Sequence, residues 1–287
     1  MKRGTFFRYT APSNIVMVAL MTLPLVMAVW LGLNFITFRT FDTPNFVGLA
    51  NYLEVLSDVR FWQALEFTLL IAAICVPVHI TIGLVVALLL DQIKGKMRDV
   101  FLPGMLMPMI VVPVVGTLMF RQLFEPAGLF AWFFSEIVGQ RFIFTEPSVK
   151  ALIIMHTIWV STPFALLIFF AGLQTLPGEL VDASGIDGAN RLQQIRYVVI
   201  PHLRSLIVLE ALVALMDFYR LFDSVFILTE LNPIFKADSV LTYNFKVAMT
   251  VGRLGKGSAM AILTVIGIFV VVIPFLILTY REQIEER

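Results

Sequence analysis

The sequence has little charge and almost no cysteine. Only 14% of its 287 residues are Asp, Glu, Lys or Arg, against about 25% in a soluble domain, and so low a share excludes a water-facing globule. The formal net charge is +1, without the basic excess of a nucleic-acid binder. A lone Cys75 rules out an internal disulfide. His79, His156 and His202 lie too far apart to form a local metal motif. The nucleophile-and-base or metal pattern of a membrane-embedded enzyme is absent. Gly252-Arg253-Leu254-Gly255-Lys256-Gly257-Ser258 looks like a phosphate loop but fails the test. That motif needs four residues between its glycines and a Lys followed directly by Ser or Thr. A turn before a helix is expected there, with small residues allowing close packing. No repeat, low-complexity tract or interdomain linker occurs.

What is abundant is apolar. Hydrophobic residues make up 59% of the chain, and the mean hydropathy is +0.90. A bilayer-spanning helix needs about 20 apolar residues. Six stretches qualify, roughly 14–38, 66–90, 100–120, 150–173, 203–229 and 257–280. The expected fold class is therefore all-α, a polytopic membrane protein with six transmembrane helices in a single domain over 1–287. The first run is longer than a signal-peptide core and has no clear small-residue cleavage site, so it is expected to be retained. Pro103, Pro108 and Pro113 are expected to break the third span, either as packed kinks or as bends beside a pathway.

Lys2, Arg3 and Arg8 lie in an N-terminal segment without acids, which places that end in the cytoplasm. Six spans return the C-terminus to the same side. With Lys94, Lys96, Arg98, Arg191, Arg196, Arg204, Arg281 and Arg287, the inside segments hold eleven of the 21 Lys and Arg. The bias is thus one of density, because the inside segments are shorter.

The most informative stretch is the polar loop at 174–202, expected on the cytoplasmic side. It reads Leu176-Pro177-Gly178-Glu179-Leu180-Val181-Asp182-Ala183-Ser184-Gly185-Ile186-Asp187-Gly188-Ala189 and runs on to Ile200-Pro201. Pro177 suits the first position of a helix. Leu176, Leu180 and Ala183 recur on one side of it. Small Ala183 and Ser184 would let another surface approach the backbone. Gly185 and Gly188 would allow a chain reversal. A second helical run over 189–199 is expected to stop at Pro201. The first helix is too short to stand alone and calls for a partner.

This loop resembles the EAA loop of ABC importer permeases. The family's Glu-Ala-Ala reads here as Asp182-Ala183-Ser184, its glycine is Gly188, and its closing Ile-x-Leu-Pro is Val198-Val199-Ile200-Pro201. The Asp187-Gly188-Ala189 triplet is typical of the sugar-importer branch, the maltose and glycerol-phosphate type. The resemblance implies a short coupling helix that plugs into an ATPase subunit through Glu179, Leu180, Asp182, Ala183, Ser184, Asp187, Gly188 and Ala189. Asn45-Phe46-Val47-Gly48-Leu49-Ala50-Asn51-Tyr52 is similar to a segment that marks one of the two permease types of a heterodimer. The segment 123–129 matches the family's turn after the third span. Phe67 stands where the family usually has Asn. Where the family shows Gly-Gly-Pro after the fifth span, this chain has Glu230-Leu231-Asn232-Pro233, so the turn geometry there is open.

Intramembrane charges mark possible pathways. Glu210, Asp217, Arg220 and Asp223 crowd the fifth stretch, beside Tyr219. Glu210 and Asp217 are seven apart and share a side, while Asp217 and Arg220 can neutralise each other. Both a self-paired structural cluster and a polar lining fit. The fourth span offers Thr157, Ser161 and Phe164 on one side, with Pro163 between them. These fit either a sugar face or ordinary helix packing. The resemblance places a maltose-type cavity near Ser161 and Phe164, and part of the fifth span along it. His79 and His156 fit satisfied interior residues better than a proton relay.

The family implies a permease subunit of a binding-protein-dependent ABC importer, in a type I transmembrane domain in the bacterial inner membrane. It would pair with a second, related permease, two copies of an ABC ATPase and an extracytoplasmic solute-binding protein. The chain itself would hold no cofactor and do no chemistry, with ATP and Mg bound by the ATPases. The alternative is a secondary transporter driven by an ion gradient, for which Glu210 and Asp217 would be the carboxylates.

Overall fold

A computed structural model describes residues 3–140 and 142–285. Lys2 and Arg287, counted above among the inside cations, lie outside the described residues. The elements in chain order are α1 (Arg3–Gly32), β1 (Asn34–Phe35), β2 (Asn45–Phe46), α2 (Ala50–Leu56), α3 (Val59–Gln92), α4 (Lys96–Ile110), α5 (Pro113–Phe124), α6 (Leu129–Val138) and α7 (Glu146–Leu173). Then come α8 (Gly178–Ile186), α9 (Arg191–Gln194), a π-turn (Ile195–Val199), α10 (Ile200–Tyr219), α11 (Asp223–Thr229), a 3₁₀ turn (Pro233–Phe235), α12 (Val240–Phe245), a second π-turn (Lys246–Thr250) and α13 (Leu254–Glu285). Among the described residues, five helices are long and apolar enough to cross a membrane, or six if the pair bent by 95° between Ile110 and Pro113 is one span. The chain is a multi-pass membrane protein.

Several helix ends differ from the expected stretches, each for a local reason. The first helix stops at Gly32, because Asn34 and Phe35 pair antiparallel with Phe46 and Asn45. The third stretch is two helices rather than one. Of its three prolines, Pro103 and Pro108 sit inside α4, and only Pro113 breaks the chain. The residue before a proline is pushed towards extended backbone, and β-branched side chains favour the same region. Val112, before Pro113, combines both effects, and Val111 beside it is β-branched; both are extended, with ψ of 127° and 132°. Leu102 and Met107, before the other two prolines, are not β-branched and are helical. The fifth helix ends at Tyr219, so Asp223 begins a separate helix.

Pro201 does not stop its helix. Ile200 N–H bonds the carbonyl of Ile195, five residues back, and the helix runs on. The wide turn leaves one carbonyl over, just where proline has no N–H to offer it.

The chain forms two compact units, Met1–Gln63 with Tyr243–Val270 and Ala64–Thr242 with Val271–Arg287. In the first unit, the amide of buried Asn51 donates to the carbonyls of Gly32 and Asn34, each at 2.9 Å, closing the end of α1. Gly255 must lack a side chain, since a Cβ there would lie 2.2 Å from the Asn34 carbonyl oxygen. The segment 252–258 is thus a turn entering a closely packed helix, as its small residues suggest. Its cations meet carboxylates. Arg253 grips both oxygens of Glu54 at 2.6 and 2.7 Å, and Lys256 reaches Glu54 at 3.2 Å and Asp58 at 2.8 Å. Most of the α1 surface is exposed and apolar, including Leu20, Met21 and Leu23. Such a surface requires lipid or protein around it.

The second unit packs around α7. One core joins Phe67, Ile71 and Cys75 of α3, Val149 and Ile153 of α7, Ala214 and Phe218 of α10, and Val225 and Leu228 of α11. Another joins Ala87 and Leu90, Ala165, Leu166 and Phe169, and Val199 and Leu203. After α11, Glu230 and Leu231 take left-handed φ of 49° and 57°, which costs a non-glycine residue about 1–2 kcal/mol. The resembling family keeps glycines at this turn. Here, ion pairing of Glu230 with Arg121, whose guanidinium also donates to the Ile227 carbonyl at 3.0 Å, helps hold the conformation.

Arg253, by its hydrogen bonds, holds the Glu54 carboxyl below its usual 4.5 against the opposing effect of burial, and Lys256 adds to the effect. Burial pushes Asp58 up, but hydrogen bonds from Lys256 and Tyr243 outweigh it and leave the group below its usual 3.8. Both folded values are lowered, so this stabilisation is full above the ordinary carboxylate range and is lost as pH falls through the lowered values. Thermal unfolding midpoints should therefore hold from neutral pH to about 5 and drop below about 4. Glu54→Gln should lower the neutral midpoint and flatten that drop.

Candidate functional site

Two features stand out, a knuckle on the 174–202 loop and a cavity inside the second unit. The knuckle is built from chain-end chemistry. Helix α8 begins after Pro177, one residue later than expected, and none of its residues is buried. Gly185 lies inside the helix rather than at the reversal. The reversal is at Gly188 alone, with φ of +82°. Gly188 N–H bonds the Gly185 carbonyl at 3.1 Å, and Ala189 N–H bonds that of Ser184 at 3.0 Å. Together these close the open carbonyls of the helix end. Asn190 and Gln193 then cap the next helix reciprocally, side chain to backbone, at 3.0 and 2.8 Å.

Glu179, Leu180, Asp182, Ala183, Asp187 and Gly188 are exposed, while Val181, Ser184 and Ala189 are half-buried. Leu180, Ile186, Leu192 and Tyr197 add exposed apolar area. The root of the loop is firm. The Thr175 hydroxyl donates to the Gly172 carbonyl at 2.7 Å and accepts from His202 at 3.0 Å. Gln174 donates to Asp91 at 2.9 Å. Leu173, Val199 and Leu203 sit in the core that reaches α3.

The cavity has a volume of about 340 Å³ and lies between α7 and α10, with contributions from α3, α4 and α11. Thr157, Ser161 and Phe164 all line it, as their spacing predicts, and so does Asp217. Asp217 and Arg220 pair at 2.8 Å. Tyr219, Arg220 and Asp223 are not in the lining. Helix α10 ends at Tyr219, whose ring is buried, so the helical register that grouped these residues stops there.

The polar centre of the cavity is a pair that the sequence left as separate residues. Buried His79 and Glu210, both in the lining, meet at 3.0 Å between Nε2 and Oε1. His79 Nδ1 lies 2.8 Å from the Cys75 carbonyl. A carbonyl only accepts, so Nδ1 carries a proton, and one further proton lies between Nε2 and the carboxyl. The signal for Glu210 was its seven-residue spacing to Asp217; nothing local pointed to His79, 131 residues away.

A second buried histidine braces the wall. Thr117 spends its hydroxyl on the Pro113 carbonyl at 2.8 Å and so accepts from His156 Nε2 at 3.3 Å. In the neutral ring, Nδ1 then accepts from Ser224, another lining residue, at 2.9 Å. Both histidines are satisfied interior residues. Among the described residues, no three His, Cys, Asp or Glu are grouped to hold a metal ion.

Comparison with known proteins bears on the family and the fold. The family described as binding-protein-dependent transport system inner membrane component matches residues 79–283. The trehalose transport system permease protein SugA of Mycobacterium tuberculosis is 30% identical over 272 residues, 91% of this chain and 84% of that one. The trehalose/maltose transport system permease protein MalF of Thermococcus litoralis is 31% identical over 275 residues, 93% of this chain and 89% of that one. In fold, the chain is similar to the crystal structure of a bacterial ABC transporter involved in the import of the acidic polysaccharide alginate. The TM-score is 0.84 at 18% identity, covering 96% of this chain and 95% of that one.

The left-handed turn in the knuckle can be tested by itself. A β-branched side chain at Gly188 meets no neighbour but is strained by the backbone. Gly188→Val should cost about 1–2 kcal/mol locally, seen as faster amide exchange at positions 188 and 189 with membrane insertion unchanged.

Proposed function

The chain belongs to the family of binding-protein-dependent transport system inner membrane components, as a permease subunit of an ABC importer, and on that premise we propose that it moves a sugar or sugar-derived solute across the bacterial inner membrane. The trehalose and maltose systems among its relatives support that cargo class. It pairs with a second, related permease, and two copies of an ABC ATPase bind on the cytoplasmic side, where both chain termini lie. A soluble receptor delivers the solute from outside. The partner ATPases hydrolyse ATP; this chain does no chemistry.

The observation that carries the coupling role is the exposed helix Gly178–Ile186, closed at its C-terminal end and set on a firm root. Leu180 and Ala183 offer a small apolar face to a cleft in the ATPase. Glu179, Asp182 and Asp187 ring it with negative charge. Ser184, Gly188 and Ala189 hold the reversal. Closure of the ATPases on ATP displaces this knob. The core around Leu173, Val199 and Leu203 passes the displacement to the spans, which rock between outward-facing and inward-facing states. Thr157, Ser161, Phe164 and Asp217 face the passing solute. Tyr219, Arg220 and Asp223 serve the outer end of the path.

Ala183→Cys carries the test. The native Cys75 is buried and will not compete for reagent. A cross-linker at position 183 should capture the ATPase in native vesicles, and failure to capture it would overturn the coupling assignment. In proteoliposomes, Gly188→Pro should cut transport and receptor-stimulated ATP hydrolysis by about tenfold or more, with normal amounts of inserted protein.

A further inference from the structure

The cavity accepts hydrogen bonds but has almost none to give. Each hydroxyl in it is spent on the protein. Thr157 donates to the Ile153 carbonyl at 2.7 Å, and Ser161 donates to the Thr157 carbonyl at 2.7 Å. Ser224 donates to His156. Both nitrogens of His79 are engaged. What remains towards the cavity is oxygen lone pairs. Among the described residues, the lining contains no Lys or Arg.

At the centre of this set is an oxygen without a partner. Glu210 is 2% exposed and lines the cavity, and its Oε2 has no hydrogen-bond partner among the described residues. Buried carboxylate oxygens in native proteins are nearly always satisfied, so an orphan beside a cavity calls for a donor. His79 fixes the carboxyl through Oε1 and leaves Oε2 to receive it.

We propose that this cavity takes a neutral, hydroxyl-rich solute that donates to it, with Glu210 Oε2 as the central acceptor, and that it rejects solutes bearing a carboxylate. The proposal rests on the reading of the cavity as the solute pathway. A hydroxyl brings the donor that Oε2 lacks. A carboxylate brings only more acceptors and a charge with no cation to meet it, which is costly in an apolar interior. At one edge Asp217 brings no free cation either, since Arg220, which pairs with it at 2.8 Å, is not in the lining.

The test uses the purified complex of both permeases and the ATPase, without the receptor, so that only the pathway selects. The probes are trehalose, trehalose oxidised to the uronate at one primary alcohol, and choline. Trehalose should bind at least about tenfold tighter than the uronate or choline. Glu210→Leu should weaken trehalose by about tenfold or more. Glu210→Gln can donate its amide to His79 and keep an oxygen in the place of Oε2. It should retain trehalose within about threefold while narrowing the preference over the uronate by at least about threefold. A merely structural role for Glu210 would not move that ratio.

Uronate or choline binding as tight as trehalose overturns the proposal. So does a wild-type complex that binds no trehalose, or a Glu210→Leu complex that binds it normally. If the leucine variant does not assemble, an unchanged ratio in Glu210→Gln is sufficient to overturn it. Capture of the ATPase through Ala183→Cys reports on the coupling role separately, so loss of one reading is distinguishable from loss of the other.

Discussion

Backbone polar groups in an apolar setting must find partners inside the chain. Several interruptions of helix in this protein are settled by partners within the chain. The end of α1 gives its carbonyl to Asn51. The helix through Pro201 widens by a residue where an N–H is missing. The reversal after α8 folds its own N–H groups back onto the last turn. The positions of these repairs fix where the spans stop and where the loops stand.

The same constraint explains the buried side-chain pairs. His79 joins α3 to α10 through Glu210, and His156 joins α5 and α11 to α7 through Thr117 and Ser224. Each ring has one nitrogen whose role is forced by a neighbour that can only accept or has already donated. The proton positions follow from the network. Among the described residues of these two networks, Glu210 Oε2 alone is left without a partner.

Much of this was legible in the residues. Long apolar runs gave the spans, and the glycine and small residues at 182–189 gave the knuckle. The i, i+4, i+7 spacing of Thr157, Ser161 and Phe164 placed all three on the cavity wall. Helix ends were harder. The rule that proline breaks helices failed at Pro103, Pro108 and Pro201 and held at Pro113, because the outcome depends on the preceding residues and on whether a wide turn can absorb the missing bond. The fifth stretch stayed apolar past Tyr219, so composition alone could not show that the helix stops there. The His79–Glu210 pair joins residues far apart in the chain, and no local pattern encodes such a distance. The helix α8 was expected to lean on a partner for its stability. Its C-terminal end is closed by backbone bonds from Gly188 and Ala189, its N-terminal end has no side-chain cap, and docking on a partner belongs to the proposed coupling role.

That closure has an energetic consequence for assembly. A segment that folds only on docking charges its ordering entropy to the complex and weakens it. This knob is shaped in advance at its C-terminal end, where backbone bonds from Gly188 and Ala189 already close the last turn. In the proposed docking on an ATPase, less of the contact free energy is then diverted into closing that end of the helix.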